Sequence, residues 1–223
     1  MNKAKVTRIF KSIQGEGKYA GVLQTFVRFY GCNLYCSYCD TKITRYVQYG
    51  VERLTEEIRS PRYRTGWLSL TGGEPLCQVT FLEKFLPYIA PHKFKVYLET
   101  NSTRPAALKK VVRWCDVISC DLKLPSALKK RSLWPKHEEF FSIAKRKEVF
   151  FKVVITPNTV FSEIKRIARF MKDKNKYTVY LQPDFSSMNK KLVAHILMYA
   201  EYLSGQNIDA RVVPQIHKFL KIR

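Results

Sequence analysis

Short apolar, β-branched runs alternate along this chain with longer segments in which apolar residues recur at helical spacing. Seven runs read as strands: QTFVRFYG (24–31), WLSLTGG (67–73), KVYLETN (95–101), DVISCDL (116–122), VFFKVVITP (149–157), YTVYLQPD (177–184) and DARVVPQ (209–215). The helical patterns between them are VERLTEEIRS, VTFLEKFLPYIAP, PAALKKVVRWC, VFSEIKRIARFMKDK and NKKLVAHILMYAEYLSG. In the fourth of these, Ile164, Ile167, Ala168 and Met171 fall on one helical face. Strands alternating with helices predict an α/β fold with a parallel sheet and crossover helices, open or curled into a partial barrel. Residues 123–148 break the alternation, and the pattern there predicts a loop or lid with a basic surface.

Polar residues gather where the apolar runs stop. The strand ends carry GCNLYC, TGGEP, ETNS, CDLK, TPN, QPD and PQIHK. Ordinary turn chemistry explains one or two such ends. Seven in succession predict a shared mouth, because parallel α/β folds bind ligands beyond the carboxyl ends of their strands.

Composition narrows the class. A chain of 223 residues with 46% hydrophobic content supports one buried core, and no repeat or linker divides it, so a single domain over 1–223 is expected. No segment approaches the ~20 apolar residues of a membrane span, and the N-terminus lacks a leader's apolar run. The expectation is a cytoplasmic protein with no membrane partner. Forty Lys and Arg against eighteen Asp and Glu leave a net charge of +22. That field attracts anions. The basic residues are spread along the whole chain, which favours a solvated surface over a dedicated nucleic-acid site, and no direct nucleic-acid binding is expected.

In a reducing compartment, clustered cysteines read as metal ligands or redox groups. Cys77, Cys115 and Cys120 are scattered and read as small buried hydrophobes. Cys32, Cys36 and Cys39 stand together as C-x3-C-x2-C in GCNLYCSYCDT. Three readings compete. A zinc site would take Cys36 and Cys39 as a knuckle and needs a distant histidine; His92, His137, His195 and His217 lie in no partner motif. A redox disulfide would leave Cys32 idle. A cubane iron–sulfur cluster normally takes four cysteines, so three would leave one iron open for another ligand.

The spacing C-x3-C-x-aromatic-C, with Tyr38 as the aromatic, resembles the signature of radical S-adenosylmethionine enzymes, and TGGEP (71–75) at the next strand end agrees with it. The resemblance implies a [4Fe–4S] cluster on Cys32, Cys36 and Cys39, with S-adenosyl-L-methionine chelating the fourth iron. It also implies a trimmed, partial TIM-like (β/α) barrel of the radical SAM type. In that family an electron passes from the cluster to the sulfonium and a 5′-deoxyadenosyl radical forms. Glycyl-radical activases share the cysteine spacing.

FKSIQGEGKYAG (10–21), CDT (39–41) and the tail PQIHKFLKIR (214–223) narrow the resemblance to the 7-carboxy-7-deazaguanine synthases, over essentially the whole chain. These enzymes convert 6-carboxy-5,6,7,8-tetrahydropterin to 7-carboxy-7-deazaguanine with loss of ammonia, assisted by Mg2+. The resemblance implies that Ile13, Gln14, Gly15, Glu16, Arg28, Thr71, Gln215, His217 and the terminal carboxylate of Arg223 meet the pterin. It implies Tyr38, Cys39, Asp40, Gly73, Asp121, Leu122, Lys123 and Gln182 for S-adenosyl-L-methionine, and Thr41 for Mg2+. A homodimer and an electron donor such as a flavodoxin or ferredoxin are implied as partners. The chain departs from the family at Asp121-Leu122, where Ser-Pro is expected, and at Ser102, where glycine is expected. Arg28 alternates with Val27 and Phe29, which predicts that it faces the barrel interior.

Overall fold

The computed structural model describes residues 3–39, 45–128 and 132–222. The chain opens with β1 (Ala4–Ile13), which turns back into β2 (Leu23–Phe29), followed by β3 (Val47–Tyr49) and α1 (Val51–Arg59). The succession then runs β4 (Trp67–Gly72), α2 (Val79–Ile89), β5 (Lys95–Thr100), α3 (Pro105–Val111) and β6 (Val117–Asp121). It continues through α4 (Pro125–Leu128), α5 (Trp134–Ala144), β7 (Glu148–Ile155), α6 (Phe161–Met171) and β8 (Val179–Pro183). The last elements are α7 (Lys190–Gly205), β9 (Ala210–Val212) and α8 (Ile216–Phe219).

One sheet of nine strands results, in the order β3-β1-β2-β4-β5-β6-β7-β8-β9. From β2 to β9 every pairing is parallel, whereas β1 runs antiparallel to both its neighbours. This is the partial TIM-like barrel expected, with β3 and β9 as its open edges. All seven strands read from the apolar runs form. The sequence reading omitted β1 and β3, so the strand before the cysteines is the second, not the first.

Alternation along each strand decides which face does what. Val27 and Phe29, Leu68 and Leu70, Val96 and Leu98, Ile118 and Cys120, and Phe151 and Val153 pack outward against the helices in one core. The helices bury matching stripes: Leu54 and Ile58 from α1, Phe81, Leu82 and Phe85 from α2, and Ile164, Ile167 and Met171 from α6. Burying each such side chain contributes on the order of 2 kcal/mol. Asn189 caps α7 by accepting from the Leu192 amide at 2.9 Å.

The alternate residues face the concave side, which has its own cluster of Tyr97, Val117, Phe150 and Tyr180 near the strand starts. The turn between β1 and β2 plugs this floor: Tyr19 packs on Trp67 at 4.8 Å and edge-on to Tyr97 at 5.8 Å. Gly17 has φ +62 and lies so close to the Phe150 ring that a Cβ would approach it to 2.5 Å, so the plug needs glycine there. With the floor filled, the interior opens at the carboxyl ends of the strands.

The expectation of a loop or lid over 123–148 is corrected. Most of that stretch is α4 and α5, and α5 buries Trp134, His137, Phe140, Phe141 and Ala144. Within α5, Lys136, Glu138 and Glu139 are exposed between these buried positions, as helical spacing dictates. Cys115 and Cys120 are buried as expected; Cys77 is partly exposed, contrary to expectation. Among the described residues no helix is long and apolar enough to cross a membrane.

Candidate active site

A cavity of about 610 Å³ occupies the mouth, within the ~300–1,000 Å³ range of small-molecule sites. The loop after β2 brings Cys32, Cys36 and Cys39 to its rim. Two glycine-dependent contacts position that loop. A Cβ on Gly73 would sit 2.0 Å from the Gly31 carbonyl oxygen, and one on Gly72 (φ +130) 2.3 Å from that of Phe29. This closeness lets the Gly73 amide donate to Phe29 at 3.0 Å and the Glu74 amide to Gly31 at 2.8 Å. TGGEP therefore clamps the cysteine loop to the end of β4.

Glu74 ties the same corner to β5. Its carboxylate accepts from the Thr100 hydroxyl at 2.9 Å and the Asn101 amide at 2.7 Å. Burial pushes this carboxyl up to about 7 against the pull of those hydrogen bonds. Asn101 in turn reaches Cys32 Sγ at 3.8 Å and Asn33 at 2.9 Å, and the Leu34 amide donates to Cys32 Sγ at 3.4 Å. All three thiols are free and share the cavity. Among the described residues no three His, Cys, Asp or Glu side chains are gathered as a metal-holding group; by chemistry, three soft thiol ligands, one of them receiving hydrogen bonds on its sulfur, fit an iron–sulfur cluster.

At the opposite wall, the β1–β2 turn supplies Gln14 and Glu16. Gln14 Nε2 donates to Glu99 at 2.7 Å, and Thr71 donates to the other Glu99 oxygen at 2.8 Å. Gln215 donates to Glu16 at 2.7 Å. Gly15 touches the tail so closely that a Cβ would fall 1.8 Å from His217 Nδ1, and its carbonyl accepts from Ile216 at 3.0 Å. Between the two walls runs a chain of charges. Lys152 bonds Glu16 and lies 3.2 Å from Asp121; Lys123 donates to Asp121 at 2.7 Å and to the Tyr38 hydroxyl at 3.0 Å. Burial works against the Glu16 and Asp121 carboxylates, but the lysines hold both low, Glu16 at about 2.

Of the residues singled out from sequence, Ile13, Gln14, Gly15, Glu16, Arg28, Tyr38, Thr71, Gly73, Asp121, Lys123, Gln182, Gln215 and His217 line the cavity with the three cysteines. Arg28 faces inward, its guanidinium 5.5 Å from the Phe10 ring centroid. Leu122 does not line the cavity: its side chain is buried in the outer core and its amide donates to Lys152 at 2.8 Å. Asp40, Thr41 and Arg223 lie outside the described residues.

A radical SAM superfamily model matches residues 26–156. The 7-carboxy-7-deazaguanine synthase of Archaeoglobus fulgidus is 34% identical over 236 residues, covering 99% of this chain and all of the relative. That of Geobacter sulfurreducens is 31% identical, covering 97% of each. The chain belongs to the 7-carboxy-7-deazaguanine synthase family of radical SAM enzymes. A crystal structure of QueE from Escherichia coli shares the fold with a TM-score of 0.70 at 19% identity, covering 96% of this chain and 95% of that one.

Against this synthase family the two departures now have local explanations. Asp121 accepts from Lys123 and faces Lys152, so it serves a second cation inside the site. Ser102 adopts φ +56, keeping the left-handed backbone that a glycine would take. That conformation costs a non-glycine residue about 1–2 kcal/mol. His137 and Thr100 offset it: the Ser102 carbonyl meets His137 Nδ1 at 3.2 Å and its amide donates to Thr100 Oγ1 at 3.2 Å. Glu99, Asn101 and Lys152 also line the cavity; sequence reasoning placed the first two in the mouth, within ETNS, without a role, and gave Lys152 no place. Each carried a signal, being a polar residue inside or ending an apolar strand run.

Proposed function

We propose that the chain converts 6-carboxy-5,6,7,8-tetrahydropterin to 7-carboxy-7-deazaguanine with loss of ammonia. One observation carries the reading at the level of residues. Arg28 Nε, Asp121 Oδ1 and Gln182 Oε1 are buried without a hydrogen-bond partner, and all three residues line the cavity that the cysteines share. Buried polar atoms are rarely left unpaired in a folded protein, so these fit atoms that await a polar ligand.

Cys32, Cys36 and Cys39 would hold a [4Fe–4S] cluster. Tyr38, Gly73, Asp121, Lys123 and Gln182, which line the same cavity, and Asp40, beyond the described segment, would bind S-adenosyl-L-methionine. When bound, the cluster and S-adenosyl-L-methionine supply a radical that takes hydrogen from the substrate, with S-adenosyl-L-methionine regenerated. The other roles belong to the protein. Glu16, kept ionised, accepts from the N–H edge of the pterin. Gln14 is held by Glu99 to present its amide to the ring. The Arg28 fork pairs the substrate carboxylate. The aromatic floor keeps water from entering behind the ring.

Thr41 is proposed as a ligand of Mg2+, whose remaining positions substrate oxygens and water would fill, and Arg223 as a terminal carboxylate near the pterin. A homodimer, a flavodoxin- or ferredoxin-type electron donor and a cytoplasmic location complete the reading. The test is turnover by anaerobically reconstituted protein with the carboxytetrahydropterin, S-adenosyl-L-methionine, Mg2+ and reductant. A new deazapurine absorbance is expected, absent with Cys32→Ala. Cleavage of S-adenosyl-L-methionine without that product would overturn the assignment.

A further inference from the structure

Lys152 stands in the middle of VFFKVVI, a run that otherwise builds the sheet's interior. Alternation turns it to the concave face with Phe150 and Val154. There it bonds the Glu16 carboxylate and lies 3.2 Å from Asp121; the side chains of all three are at most 16% exposed. A buried ammonium is costly to desolvate and is retained where its partners need it. The two partners differ in that need. Asp121 has a second cation, Lys123, at 2.7 Å. Glu16 receives Lys152 on one oxygen and the neutral Gln215 amide on the other.

We propose that Lys152 is a positioning residue for the pterin subsite, holding Glu16 ionised and oriented so that its oxygens accept from the ligand's N–H edge. This rests on the pterin reading above. A buried carboxyl without a cation is driven to protonate. A protonated Glu16 turns an O–H donor toward a donor edge, and the complementary hydrogen bond is lost. The groups facing Glu16 set the outcome. Asp121 on β6 and Glu99 on β5 share its sign, and Tyr97 lies below on β5. Lys123 follows β6 and is engaged with Asp121. His217 and Gln215 approach from the tail. Removing Lys152 therefore leaves Glu16 beside like charges, with His217 as the other titratable neighbour.

The test is equilibrium binding of 6-carboxypterin, read by its fluorescence, to the reconstituted full chain with S-adenosyl-L-methionine, from about pH 6 to about pH 9. Each variant is compared with wild type at each pH, which cancels the ligand's own titration. Lys152→Met should bind at least tenfold more weakly near pH 6 and recover as pH rises, roughly a decade per pH unit. Lys152→Arg should follow wild type. Adding Lys152→Met to Glu16→Gln should change binding little and show no pH dependence relative to wild type. Lys152→Met that is weaker by the same factor at every pH overturns the proposal. So does a pH step that survives in the double variant, which would assign it to His217. If Lys152→Met does not fold, the comparison of Glu16→Gln with the double variant decides: a further tenfold loss overturns the proposal. Wild type that takes no pterin overturns the ligand assignment itself, whereas wild type that binds beside a pH-flat Lys152→Met overturns only the role of Lys152.

Discussion

Replacing Gly73 by alanine tests whether TGGEP clamps the cysteine loop. The added Cβ would lie 2.0 Å from the Gly31 oxygen, 2.5 Å from its carbonyl carbon and 3.2 Å from the Cys32 nitrogen. These are backbone atoms, so no rotamer change relieves the contact. The end of β4 and the loop must separate by roughly an ångström in an interior packed as densely as a crystal. Separation breaks or stretches two bonds, Gly73 to Phe29 and Glu74 to Gly31, each contributing about 1 kcal/mol net. Overpacking adds about 1–3 kcal/mol. The sum of about 3–5 kcal/mol is a large share of the ~5–15 kcal/mol that holds a typical protein folded. Urea unfolding followed by circular dichroism measures the loss, and iron per chain after anaerobic reconstitution measures what happens to the loop. Gly66→Ala is the control, because nothing lies within 4 Å of its added Cβ; it should stay within about 1 kcal/mol of wild type. A Gly73→Ala chain that unfolds at the wild-type midpoint and loads iron fully would refute the clamp.

Two further outcomes follow from the same geometry. Gly15→Ala puts its Cβ 1.8 Å from the His217 ring and 2.9 Å from the His217 Cβ, which no rotation of the ring moves, so the tail must shift as well; stability should fall by about 1–3 kcal/mol while the KM for the pterin rises several-fold. The second concerns pH and the cluster-free chain. Burial lowers His137 to about 4, and its two ring nitrogens are engaged by the Ser102 carbonyl and the Lys123 amide. The unfolded chain then takes up the proton first, so this group destabilises the fold as pH falls from about 6.5 to about 4. Glu74, raised to about 7, works oppositely: its contribution is full below about pH 4.5 and lost as pH rises through about 7. The two nearly cancel over that window, each amounting to about 3 kcal/mol at most. Urea midpoints across pH 4.5–6.5 should therefore be nearly flat for wild type, fall on acidification for Glu74→Gln, and rise on acidification for His137→Leu.

The parallel part of the sheet was legible because each of its strands is an uninterrupted apolar run with a polar end. β1 escaped for a physical reason. Its register shifts between Val6 and Arg8, so the core-facing phase set by Ala4 and Val6 passes to Ile9 and the period of two is broken. α5 escaped because Lys136, Glu138, Glu139 and Lys145 are interleaved with Trp134, Phe140, Phe141 and Ala144, and only the helical projection separates them. The cysteines were legible from their motif spacing, Gln14 and Glu16 from the family resemblance, and Arg28 from that resemblance and its alternation with Val27 and Phe29. Glu99 and Lys152 belong to no such motif. Each sits inside a strand run, where a charge makes sense only once the face it occupies and the residue opposite are known. Leu122 shows the converse: as the neighbour of Asp121 at a strand end, its side chain alternates away from the cavity into the outer core.

The large positive charge can now be assigned to a place. Among the described residues the cavity is lined by four carboxylates, Glu16, Glu99, Asp121 and Asp184, and by four cations, Arg28, Lys123, Lys152 and Lys218. With neutral thiols these eight charges cancel, so the surplus of +22 comes from other residues. The balance has a chemical use. Lys152 and Lys123 are spent on Glu16 and Asp121, whereas Arg28 keeps a buried Nε without a partner. A substrate carboxylate entering the mouth can therefore form a charge-assisted pair with the Arg28 guanidinium. The exterior field draws anions of any kind toward the protein. Selection of one carboxylate-bearing ligand falls to the interior, through Arg28 at one point and through the donor-matching edge of Glu16 and Gln14 at another.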